Sequence, residues 1–400
     1  MENRSAKVRQ HSLENVFGSR IKRFQKLMRY KIREILLVSS IYDNYLFEED
    51  GRLYELIREE YQALNLSFAP ELIHVTTGEE ALEMLSGTHT YDLIITTMHI
   101  EDMHVIKFAQ MVRRSGINLP IILLAYDNRE RKELTTNYDT TIFERIFIWS
   151  GDYRLLIAIV KYVEDRVNVE NDTKNIGVQS IIVVEDNIKF YSSYLPIIFS
   201  EVFKQSQRLV REGINLTHKF LRMRARPKIL LCTTYEEAWD YYEKYQEYVL
   251  GLILDVNFKH HGVKDPEAGI KFARTVRSQH DDIPILLQSS DASFREKAYQ
   301  IGASFMHKNS PRLLQELREF MLKNFGFGDF VFIDNTGQEV FRAVNLSQLE
   351  EALVKIPDES LVYHASRNHF SKWLKARTEF YLALKLRPHK VTDFGSVQGL

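Results

Sequence analysis

The stretch SIIVVEDN, residues 180–187, runs from apolar and β-branched residues directly into two adjacent acids, Glu185 and Asp186. A short apolar run of this kind is typical of a buried strand. The stretch LGLILDVNF, residues 250–258, repeats the pattern and ends its apolar run in Asp255. Apolar runs without polar alternation favour parallel strands that are covered by helices on both faces. The fold must therefore bring acids to the ends of buried strands.

An internal repeat relates the two halves of the chain. Its best-matched parts share helical spacing, a charged turn, a proline and an apolar strand in the same order. The matched pairs, in chain order, are ILLVSS (35–40) with IIVVED (181–186), TTGEEALEML (76–85) with TTYEEAWDYY (233–242), YDLIITTMH (91–99) with LGLILDVNF (250–258), and IKFAQMVRRSGINLPIILL (106–124) with IKFARTVRSQHDDIPILLQ (270–288). The offset between the copies changes only by insertions, so two copies of one domain follow each other.

Each copy alternates short strand-like runs with helical patterns through five rounds. This order predicts an α/β fold in which a doubly wound sheet of five parallel strands is covered by helices. The predicted organisation is a helical lead at 1–30, a first α/β domain at 31–168, a second at 178–325, and a small α+β segment at 326–400. The polar stretch 166–179 between the copies is predicted to be a linker. Functional residues of this fold class lie at the carboxyl ends of the strands.

Composition excludes several classes of protein. The 400 residues carry a formal net charge of −1 and one cysteine, Cys232. A single cysteine excludes a disulfide framework and a multi-cysteine metal site. The near-neutral charge gives no indication of a nucleic-acid partner, and no apolar run approaches the length of a membrane span. We therefore expect a cytoplasmic protein that binds neither nucleic acid nor membrane.

The strand ends of the second copy carry a set of charged and polar residues in a fixed order. Glu185 and Asp186 close its first strand, Asp255 its third, Ser289 its fourth and Lys308 its fifth. At these positions the second copy resembles the receiver domain of two-component response regulators. The resemblance covers residues 178–325 and implies a flavodoxin-like fold. It also implies that the protein accepts a phosphoryl group.

The resemblance assigns a role to each residue of this set. Asp255 would be the nucleophile that accepts the phosphoryl group, and Lys308 would place a positive charge beside it. Ser289 would donate its hydroxyl to a phosphoryl oxygen, and Phe305 stands at the position of the family's switch aromatic. Mg²⁺ prefers hard oxygen ligands. Its protein ligands would be Glu185, Asp186, Asp255 and the backbone carbonyl of Asn257.

Two features depart from the receiver pattern. Lys308 precedes Asn309 instead of a proline, and the loop FKHHGVKDPEAG at 258–269 is longer than usual. His260 and His261 in this loop could indicate a second metal site, but adjacent histidines in a charged loop are more often exposed. The acids themselves have an alternative explanation, because acidic residues are also favoured at helix N-termini.

The first copy lacks every charged participant at the equivalent strand ends. Uncharged residues stand there, namely Ser39, Ser40, Thr97, Ala125 and Trp149. Asp43 and Asp102 lie near the strand ends in sequence, but at positions that favour a role in turns. The apolar pattern is intact, so we expect a pseudo-receiver that keeps the fold without the chemistry.

The last segment changes character. Residues 335–337 predict a hairpin turn, Ser347 with Glu350 predicts a capping box, and 367–388 predicts one amphipathic helix. The segment resembles the connector that follows tandem receivers in large bacterial proteins similar to phosphoenolpyruvate synthase or pyruvate phosphate dikinase. It implies a dikinase-like catalytic domain, attached or in a partner. The 400 residues themselves are expected to be regulatory, with any catalytic domain beyond them.

Three functional classes compete. A phosphoacceptor signalling module, supplied by a sensor histidine kinase or a phosphotransfer protein, explains all the strand ends of the second copy. A phosphatase of the haloacid dehalogenase type usually has a second aspartate two residues after the nucleophile, where this chain has Asn257. A structural or dimerising protein leaves the acids unexplained, although the long basic helix predicted within 196–226 is a candidate for homodimer contacts.

Overall fold

The computed structural model describes residues 27–47, 53–64, 66, 68–126, 136–211 and 224–387. Most of the predicted helical lead at 1–30, the end of the predicted long helix (212–223) and residues 388–400 lie outside this part. The chain divides into an amino-terminal unit, Tyr30–Glu164 with Asn187–Ser200, and a carboxyl-terminal unit that holds the other described residues. No helix among the described residues is long and apolar enough to cross a membrane.

The amino-terminal unit contains a sheet of five parallel strands. They are β1 Glu34–Val38, β2 Glu71–Val75, β3 Leu93–Thr97, β4 Ile121–Ala125 and β5 Arg145–Ile148. Their spatial order is β2-β1-β3-β4-β5, which is the flavodoxin-like doubly wound order. Between and after these strands lie α1 Ile41–Phe47, α2 Leu53–Ala63, α3 Gly78–Ser86, α4 Val105–Arg114 and the start of α5 Arg154–Ile176.

The carboxyl-terminal unit repeats this topology. Its parallel strands are β6 Ser180–Val184, β7 Lys228–Cys232, β8 Val249–Asp255, β11 Ile285–Ser289 and β12 Ser304–His307, and a short antiparallel hairpin follows β8 with β9 Phe258–His260 and β10 Val263–Asp265. The order β12-β11-β8-β6-β7 again has the first strand second from one edge. The prediction of two tandem flavodoxin-like sheets is therefore confirmed.

Helices cover the second sheet. They are α7 Tyr235–Tyr245 with a short 3₁₀ turn at Gln246–Tyr248, α8 Ala268–Gln279, α9 Phe294–Gln300 and α10 Leu313–Asn324. Helix α6, Ile188–Arg211, follows β6, and its residues up to Ser200 belong to the amino-terminal unit. Every residue of β6, β7, β8 and β11 is buried. This complete burial is what the unbroken apolar runs predicted, since both faces of a parallel sheet pack against helices.

The predicted linker at 166–179 is wrong for most of its length. Helix α5 continues to Ile176, and Asn168, Asp172, Thr173 and Gln179 of this stretch are buried. The reason is a group of paired charges that we call the buried ionic cluster: Asp165, Asp172, Arg226 and Lys228. Arg226 contacts both oxygens of Asp165 at 2.7 and 2.8 Å, and Lys228 Nζ lies 2.7 Å from Asp172 Oδ2. Buried charges are tolerated when they are paired in this way.

The last segment is a small α+β element, as predicted. Strands β13 Phe330–Ile333 and β14 Glu339–Ala343 form the expected hairpin, and α11 Leu346–Lys355, α12 Asp358–Ser366, α13 His369–Ala376 and α14 Phe380–Leu386 follow. Two details differ from prediction. Asn345, and not Ser347, caps α11 by accepting a hydrogen bond from Gln348 N at 2.9 Å. The single helix predicted over 367–388 is broken before α14, where Thr378 has a φ of 63°.

This segment packs against the amino-terminal ends of the strands in the second sheet. Asn368 Nδ2 donates to Asp282 at 2.7 Å, and Arg387 Nη1 lies 2.9 Å from Glu247 Oε2. Glu247 precedes β8 and Asp282 precedes β11. The segment therefore lies at the opposite end of the sheet from the strand ends that carry the predicted site.

Candidate functional site

Four strand ends of the second sheet meet at one edge, which we call the second rim. Glu185 follows β6, Asp255 ends β8, Ser289 ends β11 and Lys308 follows β12. All four side chains are buried. Because these strands are parallel neighbours, their carboxyl ends converge and bring residues distant in sequence into contact.

Lys308 is the centre of the second rim. Its Nζ lies 2.6 Å from Glu185 Oε2 and 2.8 Å from Asp255 Oδ2, and its side chain is 6% exposed. Its position is set by the sheet, since Lys308 N donates to Ser289 O at 2.9 Å. An ammonium group held between two buried carboxylates offsets their mutual repulsion.

Gln288 also contacts the acids, and sequence reasoning missed it. Its Nε2 donates to Glu185 Oε2 at 3.2 Å, and the residue is fully buried in β11. A glutamine inside an apolar strand run was the available signal, because a buried amide needs hydrogen-bond partners.

Asp255 is held close to the start of α8. Burial raises the pKa of its carboxyl above the ordinary value of 3.8, and the neighbouring Lys308 ammonium opposes that shift. Gly269 N donates to Val256 O at 3.0 Å, and a Cβ on Gly269 would lie 2.0 Å from the carbonyl oxygen of Asp255. Only glycine allows this helix to approach the strand end so closely.

Three carboxylates of the second rim could hold a metal ion. Glu185, Asp186 and Asp255 each offer an oxygen, and these three atoms lie within 4.8 Å of one another. The backbone carbonyl of Asn257 belongs to the same surface, since it and Asp186 share a contact with one lysine, Lys264. Hard oxygen donors of this kind suit Mg²⁺, which keeps several waters. The residues present thus fit the ion that the resemblance implies.

Lys264 is a second residue that sequence reasoning missed. It lies on β10, and its Nζ is 2.6 Å from Asp186 Oδ2 and 3.3 Å from the carbonyl oxygen of Asn257. Its side chain is 54% exposed. The long loop was noted as a departure from the receiver pattern, but its conformation could not be read from the sequence.

Ser289 ends β11, and Phe305 lies on the neighbouring strand β12. The Ser289 hydroxyl oxygen accepts a hydrogen bond from Asp291 N at 3.1 Å. Phe305 is partly buried on β12 and packs against the core, with the Arg295 guanidinium 5.6 Å from its ring centroid. The switch role of Phe305 stays a prediction.

The two histidines of the hairpin belong to a different group of side chains from the three carboxylates. His260, His261 and Glu236 offer ligand atoms within 4.8 Å of one another, so these three side chains form a second group that could hold a metal ion. The rings of the two histidines are stacked with their centroids 4.2 Å apart, and His261 and Glu236 are exposed. His261 is thus exposed as the sequence favoured, whereas His260 is partly buried, with Nδ1 3.5 Å from Asp265 Oδ2.

The equivalent edge of the first sheet, the first rim, is uncharged at the strand ends. Ser39 Oγ lies 3.0 Å from His74 Nε2, and Thr97 Oγ1 donates to His99 O at 2.9 Å. Ala125 ends β4, and Trp149 follows β5 where the second sheet has Lys308. The groups of three or more metal-ligating side chains found among the described residues do not include the first rim.

The two acids near the first rim have structural partners. Asp102 accepts hydrogen bonds from Gly78 N at 2.6 Å and from Glu79 N at 3.0 Å, so it caps α3. Asp43 is buried in α1 with an oxygen 3.6 Å from His99 Nδ1. Neither acid has the turn role that the sequence favoured, because Asp102 caps a helix distant in sequence and Asp43 lies within α1.

Comparison with known proteins gives matches among solved structures alone. No protein-family model and no curated protein matches the chain. The receiver domain of a Francisella response regulator is 17% identical, with 34% of this chain and 98% of that chain covered and a TM-score of 0.25. A Thermotoga maritima response regulator in complex with Mg²⁺ and BeF is 24% identical, with 32% and 97% covered and a TM-score of 0.24.

A longer match extends over more of the chain. A protein described as a two-component system response regulator with a GGDEF domain is 14% identical, with 72% of this chain and 98% of that chain covered and a TM-score of 0.31. TM-scores this low add no argument, so the assignment of the fold rests on the strand order.

Proposed function

We propose that this chain is a two-component response regulator whose carboxyl-terminal unit accepts a phosphoryl group on Asp255. The observation that carries the proposal is the ammonium group of Lys308, held at 2.6 and 2.8 Å from two buried carboxylates at converging strand ends. A buried ion pair contributes little net stability compared with apolar packing, so stability alone does not explain this arrangement. A phosphoryl-transfer site needs both a nucleophilic carboxylate and fixed positive charge.

In the proposed reaction, a carboxylate oxygen of Asp255 attacks the phosphorus of the donor. A phosphorus–oxygen bond to Asp255 forms as the bond between phosphorus and the donor's leaving atom breaks, so the phosphoryl group moves to the protein. Lys308 lies where its charge can stabilise the phosphoryl oxygens, and Ser289 can donate its hydroxyl to one of them. Buried surroundings strengthen these charge interactions.

Glu185, Asp186, Asp255 and the carbonyl of Asn257 are the residues that would hold Mg²⁺. When bound, the ion supplies positive charge to the oxygens of the transferring group. Without it, these carboxylates depend on lysine side chains for neutralisation, as Lys308 and Lys264 provide here. Mg²⁺ dependence is therefore part of the proposal.

The phosphodonor would be a sensor histidine kinase or a phosphotransfer protein, as the receiver resemblance implies. The amino-terminal unit would act as a pseudo-receiver, because Thr97 stands in place of the nucleophile. A dikinase-like enzyme, attached or separate, is the output that the last segment implies. The similar structures named above are described as response regulators, and their descriptions mention neither a dikinase nor a dimer. The dikinase-like output and a homodimer therefore stay predictions.

Acetyl phosphate with Mg²⁺ tests the proposal. The intact mass of the full chain should rise by one phosphate, and Asp255→Asn should abolish the increase. Asp102→Asn is the matched control, since it alters an acid near the first rim and keeps a side chain able to cap α3. Labelling that persists in Asp255→Asn, or that disappears in Asp102→Asn, would contradict the assignment.

A further inference from the structure

The hairpin β9–β10 carries a cation to the candidate metal site. Lys264 Nζ lies 2.6 and 2.8 Å from the two oxygens of Asp186 and 3.3 Å from the carbonyl oxygen of Asn257. We propose that Lys264 is a built-in competitor of Mg²⁺, whose ammonium group must leave before the ion can bind. The inference rests on the proposed function, and it assigns a role to a residue outside the receiver pattern.

The competition follows from shared ligands. The two groups that Lys264 contacts, Asp186 and the Asn257 carbonyl, are half of the predicted ligand set for Mg²⁺. Mg²⁺ bonds its oxygens at about 2.0–2.1 Å in near-octahedral geometry. A lysine ammonium in contact with the same oxygens would lie only a few ångströms from the ion, where two cations repel each other strongly. Binding of one therefore weakens binding of the other.

The charges at the second rim favour replacement over addition. The carboxylates of Glu185, Asp186 and Asp255 face the ammonium groups of Lys308 and Lys264, which leaves one formal negative charge. Mg²⁺ in place of Lys264 would bring the formal charge to zero. Mg²⁺ in addition to both lysines would leave an uncompensated positive charge beside buried groups.

Lys264 is able to leave, whereas Lys308 is not. The Lys264 side chain is 54% exposed and can extend into water, because it has a flexible four-carbon stem. Lys308 is 6% exposed and lies between two buried acids. The base of the hairpin is anchored by the fully buried Phe258, so the lysine remains close to the site after it is displaced.

The test is the Mg²⁺ affinity of the full chain, measured by titration calorimetry at low ionic strength. Lys264→Met should bind Mg²⁺ about two- to fivefold more tightly than the wild type, which is the range that a partly exposed ion pair can contribute. Lys264→Arg keeps the charge and should stay within about twofold of the wild type. Higher salt should reduce the difference in Mg²⁺ affinity between Lys264→Met and the wild type, because salt screens exposed charges.

Lys271→Met is the matched control. Lys271 also belongs to a lysine–aspartate pair at 2.6 Å with a side chain 54% exposed, and its partner Asp265 is on the same hairpin. Removing this charge should leave Mg²⁺ affinity nearly unchanged. Equal tightening in both variants would show a general charge effect and overturn the competition.

The remaining outcomes separate this inference from the proposed function. Affinity that is the same in the wild type and Lys264→Met, or weaker in the variant, rejects Lys264 as a competitor while phosphoryl transfer to Asp255 stands. Absence of Mg²⁺ binding in every variant rejects both. Persistent labelling of Asp255→Asn by acetyl phosphate rejects the assignment of the nucleophile without affecting the measured competition.

Discussion

At the first rim, hydroxyl groups contact a histidine and a backbone carbonyl, whereas at the second rim buried carboxylates contact lysines. Thr97 Oγ1 donates to His99 O, but its counterpart Asp255 lies 2.8 Å from Lys308 Nζ. Both sheets nevertheless have the same strand order. The comparison teaches that the apolar runs are sufficient for this fold, and that the charged strand ends are an addition which requires its own partners.

The two units also differ where a helix starts beside Asp255, the proposed phosphoryl acceptor, and beside its counterpart Thr97. In the repeat alignment Gly269, at the start of α8, corresponds to Val105 at the start of α4. Val105 is fully buried, so the first unit accommodates a branched side chain there. In the second unit a Cβ on Gly269 would lie 2.0 Å from Asp255 O. The close approach of α8 to Asp255 is therefore specific to the charged rim.

The largest expected effect comes from removing Lys308, the buried cation of the second rim. Lys308→Met leaves Glu185 and Asp255 buried without their shared partner, so unfolding free energy should fall by about 3 to 5 kcal/mol. Phosphorylation by acetyl phosphate should also be lost. Urea denaturation and intact mass measure the two effects.

Lys161→Met is the control for that comparison. Lys161 is likewise a buried lysine, 2.8 Å from Glu164, but it lies on α5. Its loss should destabilise the fold and leave phosphorylation of the folded protein intact. A variant of Lys308 that keeps full phosphorylation would break the distinction between the two rims.

Exchanging the residues at the two helix starts should have a smaller effect. Gly269→Val is expected to cost about 1 to 3 kcal/mol by overpacking, and to slow phosphorylation because Asp255 must shift. The reverse change, Val105→Gly, should destabilise by a similar amount through lost burial and leave the phosphorylation rate unchanged. Urea denaturation and labelling rates check both. Equal phosphorylation in the two variants would remove Gly269 from the account of the site.

Mild acid should destabilise the last segment more than either rim. Burial lowers the pKa of His364 to about 4 and that of His369 to about 3, and their Nδ1 atoms lie 2.9 Å apart. His364 Nε2 also accepts a hydrogen bond from Ile333 N at 3.0 Å, which protonation would break.

Protonation of these two histidines should destabilise the fold. Unfolded histidine binds a proton below about 6.5 and the folded histidines do not, so stability is present above that pH and is lost as the pH falls towards about 4. Between pH 7 and pH 5 the loss should be about 2 kcal/mol for each of the two histidines. Hydrogen exchange in 326–387 should accelerate more than in 180–308. His369→Gln should flatten the dependence, and the exposed His261→Gln should not.

At the first rim we expect no effect of added ligand. Mg²⁺ with beryllofluoride should change hydrogen exchange around Asp255 and Lys308 and leave peptides that contain Ser39, Ser40 or Thr97 unchanged. The reason is that the first rim lacks the carboxylates which such a complex needs. Saturable protection at Thr97 would show that the first rim binds ligand despite its uncharged strand ends.

Much of the fold was accessible from the sequence because periodicity and repetition report on burial. The runs at 180–184 and 250–255 are buried strands, and the two copies share one topology. The strand-end residues Glu185, Asp255 and Lys308 also meet as their order predicted. Parallel strands make such meetings predictable, since each carboxyl end points to the same edge.

Other parts depend on contacts that no local pattern encodes. The stretch 166–179 is polar, and only the pairing of Asp172 with Lys228 shows why part of this helix is buried. The contact of Lys264 with Asp186 could not be predicted for a different reason. The path of a long loop decides where this side chain lies. Gln288 required knowledge of which neighbour faces it across the sheet.

Because of the buried ionic cluster, the second folded unit begins earlier in the chain than the second copy of the sequence repeat. Helix α5 contributes Asp165 and Asp172 to the carboxyl-terminal unit, although both precede the second copy, which starts at about 178. A gene fusion that joined a new partner at the repeat boundary would keep Arg226 and Lys228 and discard both of their counter-ions. Unpaired buried cations cost several kcal/mol, so such a chimera would inherit the whole second sheet and still fold poorly. The transplantable module begins inside the preceding helix, before Asp165.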